Sequence, residues 1–244
     1  MEIHKVEPIH TWRDFLKELG TIVLGICIAI SLEQLVESWH WAGEVKEARR
    51  ALVAEILANN SSIIAVRVAI APCVDHRLDE ANRILSALEA KQKPDPFTDF
   101  RLPTGFLVND SEWQSERASQ VLTHFSRDEL AVFSRYYAQL PNFGTWMDRE
   151  EDAWTKLNVL RKPPAAITVS DLIQLRDNFF VAQRMAGLIR TNSLRELSIS
   201  KELRIAEPTI NALQVKNFCS DMSWEEYQLW RRMEREKVYA GGNG

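Results

Sequence analysis

Apolar side chains recur along most of this chain every third or fourth residue, the spacing of a helix that buries one face. Over residues 44–71 the stripe reads Val45, Ala48, Leu52, Ile56, Ile63, Val66 and Ile70, with neither Gly nor Pro to break it. One long helix is predicted there. Asn59-Asn60-Ser61-Ser62 interrupts it as a solvated turn or a weak point, and Pro72 ends or kinks it. A second stripe follows in Val74, Leu78, Ala81, Leu85 and Leu88, and then Pro94, Pro96, Pro103 and Gly105 mark irregular chain. Ser111 opens the next helix, which carries Trp113. Ser126-Arg127-Asp128-Glu129 and Thr168-Val169-Ser170-Asp171 have the spacing of N-terminal caps, so helices should start at both. Pro141-Asn142-Phe143-Gly144 reads as a turn. A long stripe then runs through Leu172, Leu175, Phe179, Ala182, Ala186 and Ile189, and Ser223 starts a last helix with Tyr227 and Trp230. The best strand candidate, residues 166–169, is too short to seed a sheet. The fold class is therefore all-α: an N-terminal membrane helix continuing into a multi-helix bundle. The chain divides into a tail (1–14), a transmembrane helix (15–38), a helical bundle domain (39–238) and a flexible tail (239–244).

Residues 19–32 carry no charge at all. As a helix they rise only about 21 Å, against a bilayer core of about 30 Å. Phe15 and Leu16 lengthen the run upstream, and Leu35 and Val36 lengthen it downstream. Lys17, Glu18 and Glu33 fall near its ends, where charged groups can reach the headgroups. Trp12, Arg13, Lys17, Trp39 and Trp41 flank it as membrane-interface residues do. Two other readings stay open: a cleaved signal peptide with small residues at Ala29 and Ser31, and a core helix of a soluble protein. Basic residues are balanced on the two sides, but Arg13 and Lys17 lie closest to the membrane. The N-terminus is expected in the cytoplasm and the bundle beyond the membrane.

Composition changes this picture little. Nine Gly and nine Pro in 244 residues leave long helices unbroken, and a net charge of -4 gives no electrostatic reason for a nucleic-acid partner. Of three cysteines, Cys27 sits in the apolar run, so only Cys73 and Cys219 can form a disulfide with each other, and only in an oxidising compartment.

The stretch His10-Thr11-Trp12-Arg13-Asp14-Phe15-Leu16-Lys17-Glu18-Leu19, leading into Ile22-Val23-Leu24-Gly25-Ile26, resembles a recurring N-terminus. It is similar to bacterial proteins with one N-terminal transmembrane helix followed by an all-helical domain, a family of unknown function. Glu112-Trp113-Gln114 and the Tyr136-Tyr137 pair are similar in style. The resemblance implies a bacterial inner-membrane location and carries no activity.

Candidate chemistry is sparse. His76 faces Asp79 and Glu80 at helical spacings of three and four, which could hold a metal only with a further ligand from elsewhere. Asp148, Glu150, Glu151 and Asp152 form an acidic run that reads as helix surface, as do Glu112 and Glu116. Asp177-Asn178 and Gln183-Arg184 read as an outer helix face. Trp113 lies beside the Pro-rich stretch and is expected in the core. There is no phosphate loop and no nucleophile motif, so no catalytic residue and no cofactor is assigned, and an enzyme is disfavoured. The expected role is interaction or scaffolding, with a ligand-binding sensory module and an enzyme with an unfamiliar site as alternatives. The expected partners are the lipid bilayer, an unidentified protein, and a second copy of the chain through the stripe from Val45 to Ile70.

Overall fold

The computed structural model describes residues 12–95 and 108–220, together with 225, 227 and 228. The C-terminal tail, most of the Pro-rich stretch and most of the expected last helix lie outside the described residues, as do residues 1–11 of the expected N-terminal tail, whose last three residues instead begin α1. Helix α1 (Trp12–Asn59) is followed without a break by a π turn (Asn60–Ile64) and by α2 (Ala65–Glu89). Then come α3 (Ser111–Ala118), a 3-10 turn (Val121–His124), α4 (Arg127–Tyr137), α5 (Leu140–Leu157), two short 3-10 turns, α6 (Val169–Glu202) and α7 (Ala212–Phe218). No strand occurs among the described residues.

The two halves of α1 live in different surroundings. Every large apolar side chain described from Phe15 to Val36 is exposed, whereas Ala48, Leu52 and Ile56 are buried. One helix is thus long and apolar enough to cross a membrane, and none of its most apolar window is covered by the chain itself. That overturns the core-helix reading of the segment, because a core helix buries its apolar face. Most of the stripe from Val45 to Ile70 is covered by this chain's own helices.

Local signals explain most helix starts. Thr168 and Asp171 form a reciprocal capping box at α6. Ser126 accepts from the Glu129 amide at α4, while the Glu129 carboxylate turns away to pair with Arg49. Two expectations fail. Pro141 does not make a turn; it occupies the first turn of α5, where a missing N–H costs nothing. Pro72 lies inside α2 and does not end it. Its neighbours Ile70, Cys73 and Val74 are core residues, and their packing holds the helix through the lost hydrogen bond.

Two apolar clusters organise the bundle. One joins α2, α5, α6 and α7 around Cys73, Leu85, Trp154, Leu157 and Phe179. The other joins α1, α3 and α4 around Leu52, Ile56, Trp113, Phe133 and Tyr136. Cys73 and Cys219 are disulfide-bonded, with Cα atoms 5.5 Å apart, and tie the chain after α7 to α2.

Candidate functional site: a buried polar seam at the π turn

A third, smaller cluster of Ile63, Ile64, Phe143, Met147 and Ile189 lies at the π turn, and beside it the interior turns polar. Asn60 opens the π turn and is wholly buried. Its amide donates to Ser200 Oγ at 2.8 Å, its carbonyl oxygen accepts from the Tyr136 hydroxyl at 3.1 Å, and Ser200 Oγ donates onward to the Glu196 carbonyl at 2.8 Å. π turns add a residue to a helix and re-aim its side chains, and they are frequent at functional sites. Here the turn directs an amide into the centre of the bundle.

One residue earlier, at the end of α1, Asn59 pairs with the backbone of Asn109 in both directions, at 2.7 and 2.9 Å. Glu55 accepts from Ser111 Oγ at 3.2 Å and from the Glu112 amide at 2.9 Å. A carboxylate from α1 thus caps α3 and meets the positive end of its dipole. Tyr137 stacks on Trp113, with ring centroids 4.8 Å apart, and donates to the Leu52 carbonyl. Burial first, and then the nearby carboxylates, raise both tyrosines above the ordinary phenol range: Glu196 acts on Tyr136 and Glu55 on Tyr137. Both therefore remain hydroxyl donors.

Past the π turn, Arg67 of α2 meets Glu150 of α5 at 2.5 Å, both nearly inaccessible to solvent. Burial pushes the Glu150 carboxyl up, against the opposing pull of Arg67. Ser193, Glu196 and Ser200 share one face of α6 at spacings of three and four. The seam is incompletely paired. Glu55 Oε1, Arg67 Nε and Nη1, Glu150 Oε1, Ser193 Oγ and both oxygens of Glu196 are buried with no hydrogen-bond partner among the described residues. Unpaired buried polar groups cost about 1–3 kcal/mol each, and in a native fold each one calls for an explanation.

Glu196 is the extreme case. Burial drives its pKa from 4.5 to about 8, and Arg195 pulls it back only in part. The folded chain holds this proton where the unfolded chain releases it. Unfolding therefore sheds a proton between the two values, and stability falls as pH rises through that window, by up to about 1.4 kcal/mol per pH unit. Glu196→Gln should remove this slope. Denaturant titrations at pH 5 and pH 8 should show the wild type losing stability relative to the variant. Parallel profiles would mean that Glu196 is solvated.

The expected site residues fare unevenly. Asp79 is exposed, His76 and Glu80 are half-buried, and among the described residues no three His, Cys, Asp or Glu side chains come close enough to hold a metal. Trp12, Arg13 and Trp39 are exposed at the ends of the apolar run. Trp41 is half-buried instead, because it stacks on His124 of the bundle. Asp177, Gln183 and Arg184 are exposed as expected, and Trp113 is in the core. Glu150 contradicts the surface reading of its acidic run: it faces inward while Asp148, Glu151 and Asp152 face solvent. The signal was its register. Phe143, Met147, Glu150, Trp154 and Leu157 make one continuous stripe, as do Ala186, Ile189, Ser193, Glu196 and Ser200.

Comparison with known protein families, with curated proteins and with solved structures found no match for this chain.

Proposed function

We propose that this chain is a single-pass membrane protein whose helical bundle stands outside the cytoplasm and serves as an interaction or scaffold module. The observation that carries this reading is the divided character of α1, bare over its apolar half and part of the bundle core over the other. The Cys73–Cys219 bond supports the side of the membrane, since such bonds persist in oxidising compartments. The balance of Arg13 and Lys17 next to the span agrees with a cytoplasmic N-terminus. The resemblance of the N-terminal stretch supports a bacterial inner membrane, with the bundle in the periplasm.

A second reading has its own support. The unpaired groups of the polar seam gather around the end of α1 and the π turn that follows it, so a small polar ligand satisfying them would act on the far end of the helix that leads to the membrane. This is the sensory form of the same architecture.

A reporter enzyme active only outside the cytoplasm, fused to the C-terminus, tests the main reading after cell fractionation. Activity in the membrane fraction is expected. Inactive protein in the membrane fraction would put the bundle in the cytoplasm, and protein in the soluble fraction would remove the anchor.

A further inference from the structure

The end of the bundle nearest the apolar run is built by the 3-10 turn Val121–His124, which packs against α1. His124 lies flat on Trp41, with ring centroids 3.8 Å apart and planes 13° from parallel. Below this stack, Gln34, Glu37, Ser38, Trp41 and Val45 form one face of α1 and, with His124, line an open groove of about 480 Å³. The Trp41 indole N–H donates to Glu37 within that groove, at 3.4 Å. The groove therefore begins on the apolar run itself and ends under the bundle.

The position of this stack relative to a bilayer is set by α1, which is unbroken from Trp12 to Asn59. Val36 is the last exposed large aliphatic residue of the run, and Trp41 follows five residues later. At 1.5 Å per residue that separation is about 7.5 Å. A bilayer of about 40–45 Å with a core of about 30 Å has a headgroup layer of about 5–7.5 Å on each side. With residues 15–38 crossing the core, a ring stacked on Trp41 falls at the outer edge of that layer. The chemistry suits the place. Trp41 has an apolar ring and a polar N–H, the combination enriched at membrane interfaces, and exposed His124 and Arg127 offer donors to phosphate oxygens.

We infer that the Val121–His124 turn, stacked on Trp41, is a second membrane contact of this protein, seated in the phospholipid headgroup layer so that the bundle rests on the bilayer. The inference rests on the reading of residues 15–38 as a membrane span. It differs from that reading because a bundle could hang from the same span without touching lipid.

Nitroxide labels on the full-length chain separate the two. The chain is reconstituted in vesicles of phosphatidylethanolamine and phosphatidylglycerol containing a lipid with a headgroup-linked nickel chelate. Three labels are compared: one on the native Cys27, and one each on Thr123→Cys and Ile173→Cys in a Cys27→Ser background. Residue 173 is the aqueous control, because Arg176 pairs with Glu89 at the far end of α2. Cys27 should report the bilayer interior through high oxygen and low aqueous accessibility. The headgroup nickel should relax the label at 123 several-fold more than the label at 173. Equal relaxation at 123 and 173, with Cys27 still in the interior, would overturn the second contact and leave the anchor standing. An aqueous Cys27 would overturn the anchor, and this contact with it.

Discussion

Removing the Cys73–Cys219 bond is expected to lower the unfolding free energy of the bundle by about 2–5 kcal/mol. The bond closes a loop with a sequence separation of 146, so it constrains the unfolded chain strongly. What it secures is also weakly held otherwise. α7 has only seven residues and contributes Val215 and Phe218 to the core. Its last turn is also held by buried Arg77, which lies over the Phe218 ring at 4.1 Å and donates to the Phe218 carbonyl. Reduction should therefore loosen α7 first and the α2–α5–α6 cluster afterwards. Guanidinium titrations of the detergent-solubilised full chain, with and without reductant, measure the effect, and Cys73→Ala with Cys219→Ala gives an independent value. The reduced wild type keeps both sulfur atoms, so its deficit reports the cross-link and not a cavity. Coincident titrations would mean that the bond contributes nothing to stability.

The bundle was legible in the sequence to the extent that its residues obey solvent-based rules. The apolar run at 19–32, the cap at Thr168 and the stripe of α6 each carry a local signal, and each appears where that signal predicts. Pro72 and Pro141 show where local rules yield. A proline's cost depends on whether its N–H has anything to bond and on whether neighbours hold the helix, and at both positions the surroundings decide in favour of the helix. The polar seam was hidden for a different reason. Asn60, Arg67, Glu150 and Glu196 are residue types that normally face water, so Asn60 reads as an interruption of its stripe, Glu150 as helix surface, and Arg67 and Glu196 are not singled out. Register held the information that residue type obscured. Glu150 stands seven residues from Phe143 and from Leu157, and Glu196 stands seven from Ile189, so each falls on the buried face of its helix. The partners were beyond reach, because Arg67 and Glu150 are 83 residues apart and only the packing of α2 on α5 and α6 brings them together.

Arg67→Met is expected to be the most damaging single substitution in the seam, costing about 3–5 kcal/mol. Met replaces the aliphatic stem of Arg67 but not its guanidinium, so the loss joins an unpaired carboxylate to a small cavity. What remains is Glu150, nearly inaccessible to solvent and without its counter-ion. Its carboxyl is already held above its usual range by burial, with Arg67 as the only opposing pull, so removing Arg67 drives it further toward the protonated form. At neutral pH the unfolded chain has Glu150 ionised, and the folded variant must either bury a lone charge or take up a proton. The penalty should shrink as pH falls toward the unfolded carboxylate value, because both states then hold the proton. Adding Glu150→Leu should recover most of the loss, since a buried pair replaced by apolar side chains of similar volume is often neutral in stability. Denaturant titrations of the wild type, Arg67→Met, Glu150→Leu and the double variant complete the cycle. A double variant as unstable as the sum of its parts would show that Arg67 serves the fold through Nε and Nη1 and whatever they bind, and not through Glu150.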